Sequence, residues 1–404
     1  MLKKQQIFIT ILLVIFLSSC FTEKEYINVQ KIQNVEEFNE DAIIYSLPKT
    51  TIIVDVEVTK ITQTKGPFSE YTEQLLGSIG NIIKQNDIEW KISDIIFYSY
   101  PQIDSSNIYV INTNSDNFAN CLNITKEGFI FSVNKDSNEE YSTYNILEKD
   151  LSTANINENL AYGELSLDKN YKEVFDTIYR TEQTDTSVIR IPIVKKSIVR
   201  KSVKEQAEEL AEEILILRDD RKALLVGEGD SDYLPDGKSL EIMINGLEEL
   251  EQQYLRMFVG KISTQTYHYR FEVTPTAEQL NSNIDLFRFS SGSGIVNWSN
   301  SFGEPVTLKI ETQESIKPII NYNNLKKENY KKSKKGKLSG FFYRVPEKTT
   351  VLVQKDNKTL SKTDIYIAQF GTINSLPAKM FLNENNYGIE FYYDLGSIKK
   401  IEKK

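Results

Sequence analysis

The sequence predicts an α+β protein in three parts: an N-terminal β-rich α+β domain, a central antiparallel helical hairpin and a C-terminal β-sandwich-like domain. Three observations carry this prediction. Residues 51–59 alternate, with Ile52, Val54, Val56 and Val58 on one face, the period of a half-buried strand. Two stretches near the middle repeat apolar residues every three, four or seven positions, the period of an amphipathic helix. Beyond Lys261, short β-favouring runs return between turn residues, the spacing of a sandwich or barrel.

The chain opens on Met1-Leu2-Lys3-Lys4, an apolar run from Ile7 to Leu17, then Ser18-Ser19-Cys20. A positive start, a short apolar core and small residues at the cut define an export signal. The run is about half the ~20 residues that span a bilayer as a helix. Leu17-Ser18-Ser19-Cys20 resembles the bacterial lipobox. That resemblance implies diacylglycerol on the Cys20 sulfur, cleavage before it and acylation of the new amine. Several acyl chains make a stable anchor, since each buried methylene adds about 0.8 kcal/mol. Phe21 rather than Asp follows Cys20, so the expected site is the outer membrane, on either its periplasmic or its surface face. Residues 1–19 are thus the signal, and polar residues 20–40 are a tether.

Residues 41–200 are the expected N-terminal domain. Ile43-Ile44-Tyr45 and then Thr51 to Thr59 read as strand, and Gly66-Pro67 breaks the chain. Phe68 to Leu76 reads as a short helix. Strands are expected over Trp90 to Ile96, Ile108 to Ile111 and Gly128 to Val133. A helix is expected near Tyr171 to Tyr179, and a strand from Ser187 to Val199. Residues 201–260 carry the clearest helices. Ser202-x-x-Glu205 is a capping box, followed by Val203, Ala207, Leu210, Ile214, Leu217 and Leu224 at helical spacing. A second stripe comprises Leu240, Met243, Leu247, Leu250, Tyr254 and Met257, and Gly260 can end it. A short connection suits an antiparallel pair with facing stripes, packed within the chain rather than on a partner. Residues 261–404 revert to strand: Thr264 to Thr274, Leu286 to Phe289, Pro305 to Glu311, Gly340 to Val345, Thr349 to Gln354, Thr363 to Phe370 and Tyr387 to Tyr393.

Composition narrows function. Loss of the signal removes Lys3 and Lys4, so 48 basic residues become 46 against 57 acidic ones, a balance of −11 that argues against a general nucleic-acid binder. With Cys20 committed to lipid, Cys121 is alone, so no internal disulfide is expected. A small buried apolar role suits Cys121.

The order of several short segments resembles one family. Tyr45-Ser46-Leu47-Pro48-Lys49-Thr50 leads into the valine-rich strand, then Lys65-Gly66-Pro67-Phe68, Tyr71 and Leu75-Leu76-Gly77. The second helix ends in Tyr254-Leu255-Arg256-Met257-Phe258-Val259-Gly260-Lys261, and Leu286-Phe287-Arg288-Phe289-Ser290 follows. Tyr343-Arg344-Val345-Pro346, Ala368-Gln369-Phe370-Gly371 and Leu376-Pro377 complete the series. Residues 41–398 so resemble a Bacteroidota family known as domain of unknown function 4831. The resemblance implies one shared architecture and brings no activity, substrate or catalytic residue with it.

Candidate chemistry is sparse. Ser-His or Cys-His catalysis would need His268, the one histidine, which lies in an aromatic strand and reads as a face residue. One His and one free Cys make a zinc site improbable. Asp230 to Glu241 spans the twelve positions of a calcium loop. Leu234 and Pro235, however, occupy the places of a ligand and the turn glycine. Asp236 reads better as a helix N-cap. Ser291-Gly292-Ser293-Gly294 lacks the lysine and helix of a phosphate loop and reads as a hairpin turn. Lys331, Lys332, Lys334 and Lys335 lie in a basic run that could touch an anionic lipid surface. A solvated loop is the plainer reading of that run.

The resulting expectation is a membrane-anchored envelope lipoprotein that binds or scaffolds rather than catalyses, without cofactor or metal, and with an envelope protein as partner. Alternatives are an envelope glycan hydrolase and a small-ligand binder. Replacing Cys20 by Ser should block lipid labelling and release the protein from membranes; retention in the membrane fraction would remove the anchor from the account.

Overall fold

The computed structural model describes residues 27–34, 42–113, 122–135, 170–184, 187–227, 237–299, 301–312, 340–377, 380–381 and 387–403. Strands β1 to β5 are Ile27–Lys31, Ile43–Thr64, Asp87–Thr113, Leu122–Ile124 and Ile130–Val133. β6 and β7 are Tyr171–Thr184 and Ser187–Arg200. β8 to β11 are Lys261–Val273, Asn283–Ser290, Gly294–Val296 and Glu304–Thr312, and β12 to β15 are Gly340–Lys355, Lys358–Pro377, Tyr387–Tyr392 and Ser397–Lys403. Helices are α1 (Thr72–Leu76), α2 (Val203–Val226) and α3 (Gly237–Val259).

The fold class differs from the expected α+β arrangement. Among the described residues strand accounts for 61% and helix for 22%, so they are predominantly antiparallel β. Nor do the helices form a central hairpin dividing two domains. β8, which follows α3, pairs with β2 along thirteen positions, from Ile52↔Val273 to Thr64↔Lys261. The first sheet, β1-β3-β2-β8, therefore draws on chain from both sides of the helices. The buried residues of α2 and α3 (Ala207, Ala211, Ile214, Met257 and Phe258) share their cluster with Phe68 of the β2–β3 connection. The end of α3 docks there by backbone contact: Phe68 N–H donates to Met257 O at 2.9 Å and Ile83 N–H to Val259 O at 2.9 Å. A Cβ on Gly66 would lie 2.5 Å from Met257 O, so only glycine permits this approach. The helices are an appendage of the sheet.

Strand length is the physical reason the class was misjudged. β2 has 22 residues and β3 has 27, where local alternation suggested several short strands. The segment expected as helix near Tyr171 is strand. Tyr171, Phe175 and Tyr179 recur every four residues, a spacing that also places side chains on one face of a strand. β-branched Val174, Thr177 and Ile178 favour the extended state.

Two further sheets complete the body, β10-β9-β11-β12-β13 and β15-β14-β5-β4, while β6 and β7 pair only with each other among the described strands. One core lies between the first two sheets: Ile52, Val54, Val56 and Val58 face Val306, Leu308, Ile310, Val351, Val353 and Ile367. A second core joins Ile27, Val29, Tyr45, Leu47, Tyr109 and Ile111 of the first sheet to Ile130, Val133, Ile389 and Phe391 of the third. Phe341 and Leu376, from β12 and β13, enter it too.

Both long hairpins run through both cores, and both break at the boundary. In β2–β3 the pairing jumps from Ser46↔Ile108 to Pro48↔Ile103, so Leu47 faces four bulged residues, 104–107. In β12–β13 it jumps from Val345↔Thr372 to Glu347↔Ile367, so Pro346 faces four bulged residues, 368–371. The same short pattern, Tyr-x-aliphatic-Pro, lies at each break, offset by one residue: Leu47 of Tyr45-Ser46-Leu47-Pro48 and Pro346 of Tyr343-Arg344-Val345-Pro346 face the bulges. Proline suits such a site because it cannot continue a regular ladder. In β2 the residues that join the two cores switch from odd numbers (Tyr45, Leu47) to even (Ile52, Val54, Val56, Val58) across the break.

Candidate functional site

The two bulges interlock into a polar waist between the cores. Arg344 is 3% exposed in its side chain and pairs with Asp104, from the β3 bulge, which is 14% exposed. The other guanidinium nitrogen donates to Ala368 O, in the β13 bulge, at 3.2 Å. Asp104 is itself held by the Ser106 N–H at 3.0 Å and Asn107 Nδ2 at 2.7 Å. Burial pulls the Arg344 pKa down and the Asp104 charge opposes that shift. Gln369 and Thr50 clasp the other side. Thr50 N–H donates to Gln369 Oε1 at 2.8 Å, Gln369 Nε2 donates to Thr50 O at 2.9 Å, and Ala368 N–H donates to Thr50 Oγ1 at 2.9 Å. A Cβ on Gly371 would lie 1.7 Å from Val345 O, so the crossing requires glycine there. Tyr45 stacks on Tyr109 at 5.3 Å and Tyr109 on Phe342 at 4.3 Å, and Phe342 N–H donates to the Tyr45 hydroxyl at 2.9 Å. Burial drives that hydroxyl's pKa well above its usual value.

Most of these groups satisfy one another; Arg344 Nε and Ser46 Oγ are buried without a hydrogen-bond partner among the described residues. The adjoining pocket, lined by Tyr45, Ser46, Pro48, Phe129 and Phe391, has a cavity volume of about 10 Å³, room for about one water molecule and far too small for a ligand. The waist therefore holds the fold. Two further carboxylates are held by arginines. Glu251, buried on α3, accepts from Arg218 Nε at 2.6 Å and Arg221 at 2.7 Å, and Asp55 accepts twice from Arg270 at 2.8 Å.

The residues singled out from sequence are dispersed. His268 lies on β8 opposite Glu57, with Nδ1 3.9 Å from its carboxylate, on the half-buried outer face of the first sheet. Ser291–Gly294 joins β9 to β10, and Ser291 O accepts from Trp90 N–H at 2.7 Å. Among the described residues no group of three His, Cys, Asp or Glu could hold a metal ion. Cys20, Cys121, Asp230, Asp232, Asp236 and the lysines Lys331, Lys332, Lys334 and Lys335 lie outside the described residues. Glu241 is an exposed residue of α3.

Sequence reading missed the most conspicuous surface. β6 and β7 form a two-stranded ribbon of fourteen residues a side, roughly 45 Å long at ~3.3 Å per residue. Every described side chain of both strands is exposed. One face carries Tyr171, Phe175, Tyr179, Val188, Val194 and Ile198; the other carries Val174, Ile178, Ile189, Ile191, Ile193 and Val199. The signal was present in the density of β-branched and aromatic residues, but it was read as a helix and a separate strand. The ribbon leads directly into α2. Lys201 N–H donates to Asn170 O at 2.9 Å, Lys172 pairs with Glu205, and the Ser202–Glu205 capping box starts the helix.

Fold and surface together define a mainly antiparallel β protein with a buried structural waist and one exposed ribbon. The chain belongs to the family described as domain of unknown function 4831, which matches residues 41–172 and 165–399. No curated protein and no solved structure matches it. The matched residues include the waist, the ribbon and both long helices.

Two outcomes follow. Asp104→Ala should lower stability by about 3–5 kcal/mol in urea unfolding, because Arg344 is left buried without its counter-charge; a loss under about 1 kcal/mol would show that the Ala368 carbonyl alone is enough to hold the guanidinium. The Lys172 ammonium, followed by the Ser202 N–H and hydroxyl, draws the Glu205 pKa down from 4.5 to about 2. The folded state therefore favours the carboxylate. Its contribution is complete above about pH 4.5 and fades as the pH falls through about 2. A carboxyl NMR titration of Glu205 should show this, and Lys172→Ala should move the midpoint back toward 4.5.

Proposed function

We propose that the chain is a non-enzymatic binding or scaffold component of a Bacteroidota envelope assembly, held to the outer membrane through acylated Cys20. The ribbon carries this reading. An isolated two-stranded hairpin is marginally stable in water, and here apolar side chains cover both of its faces. A large exposed apolar surface of this kind marks an interaction site. The lipobox-like Leu17-Ser18-Ser19-Cys20 supports the anchor. The lysines Lys331, Lys332, Lys334 and Lys335 would add affinity for anionic headgroups once the anchor holds the chain at the bilayer.

A photo-crosslinking residue at Ile193 or Phe175, compared in cells with one at exposed Tyr366, tests the reading. Discrete adducts with a named envelope protein or with a second copy, confined to the ribbon positions, are the expected result. Absence of adducts on the ribbon, or the same adducts from Tyr366, would overturn it.

A further inference from the structure

We infer that the ribbon's occupant is a second copy of this chain, joined edge to edge through β6 into a four-stranded sheet, β7-β6-β6-β7; this rests on the ribbon being the interaction surface.

The two outer edges differ. β7 carries Pro192 and the cations Arg190, Lys195, Lys196 and Arg200, with no acidic residue. Proline and lysine are the devices that protect a sheet edge. β6 contains no proline and mixes Lys172 and Arg180 with Glu173, Asp176 and Glu182. The ladder between them runs without a register shift, with Pro192 opposite Tyr179. Opposed residues in an antiparallel pair alternate between those that exchange bonds and those whose backbone groups point away. Pro192 has no N–H to give, so its pair is of the second kind. Tyr179 and, in steps of two, Thr177, Phe175, Glu173 and Thr181 then present N–H and C=O outward, a template that no other described strand covers along β6.

Self-pairing along this edge has a chemically matched register. Centred on Thr177, it sets Phe175 against Tyr179 of the second copy, Lys172 against its Glu182, and Glu173 against its Thr181. Each pair occurs twice by symmetry. Aromatic pairs and opposite charges across strands stabilise a sheet. Moving the centre to Asp176 opposes Lys172 to Arg180 and Asp176 to itself; moving it to Tyr179 opposes Asp176 to Glu182. A centre at Ile178 sets Phe175 against Thr181 and loses the aromatic pair. Self-pairing through β7 opposes cations to cations. Pairing β6 to β7 of another copy meets the gap at Pro192 and would grow without closing.

The test is the oligomeric state of the full chain in density-matched detergent, by sedimentation equilibrium at micromolar concentration. A dimer is expected. Thr177→Pro removes only an outward N–H, so it should give a monomer with unchanged far-UV circular dichroism. Glu182→Lys, a surface change with no demand on folding, should weaken the dimer about ten-fold by facing Lys172 of the second copy with a like charge. Lys172→Glu added to it should restore the dimer. A monomeric wild type, an open-ended series of species, or a dimer indifferent to both Thr177→Pro and Glu182→Lys would overturn the inference. Ribbon adducts with a different envelope protein would then keep the scaffold reading, while absence of any adduct would end both.

Discussion

The fold depends on one crossing, where the chain changes cores without breaking its sheets. Two long hairpins, β2–β3 and β12–β13, each skip four residues against one at the same level. A regular ladder could not do this, because side chains alternate strictly and an odd displacement turns a buried set outward. The bulges absorb the displacement. Arg344, Asp104, Thr50 and Gln369 then tie the four bulged or bent segments together. Leaving the backbone groups of these bulges unpaired would be costly at this depth, so the polar side chains belong to the packing as much as any leucine does.

Both hairpins meet that demand with the same short run. Tyr45-Ser46-Leu47-Pro48 and Tyr343-Arg344-Val345-Pro346 place a proline beside each break. The matching positions have diverged in chemistry: the serine of one run corresponds to the arginine of the other. Only one charged side chain is needed at the centre of the waist, and Asp104 is positioned to receive it. The glycines respond to the same geometry. Gly371 sits where a carbonyl of the opposing strand passes at 1.7 Å from where a Cβ would be, a contact no other residue can make.

Much of this was written locally in the sequence. The alternation at Ile52, Val54, Val56 and Val58 identified a core face, and the Ser202–Glu205 box is the observed start of α2. The segments whose order resembled one family converge in space. Tyr45–Thr50, Tyr343–Pro346 and Ala368–Gly371 form the waist, and Gly66–Phe68 meets the end of α3. What was illegible was non-local. Nothing within residues 261–273 says that they pair with 52–64, so a sheet spanning the helices looked like two domains. The bulge at 104–107 reads as an ordinary Asp-Ser-Ser-Asn turn until Arg344, 240 residues away, is placed beside it. The β6 period fits helix and strand alike, and only its partner strand decides.

The ribbon stands apart from this logic, and the contrast gives it meaning. In the body, alternation buries one face of each long strand, and the apolar residues of β2, β9, β11 and β12 meet across the sandwich. In β6 and β7 apolar residues occupy both faces, and among the described strands no second sheet covers either. Chains do not keep such surface without a cost in solubility and stability. β7 bears a proline and four cations along its edge, whereas β6 has no proline and charges of both signs. In the inferred self-pairing, an edge guarded on one side and open on the other would limit pairing to a single strand and, through its mixed charges, would narrow the choice of register. Such a restriction would distinguish a binding edge from an aggregation-prone one.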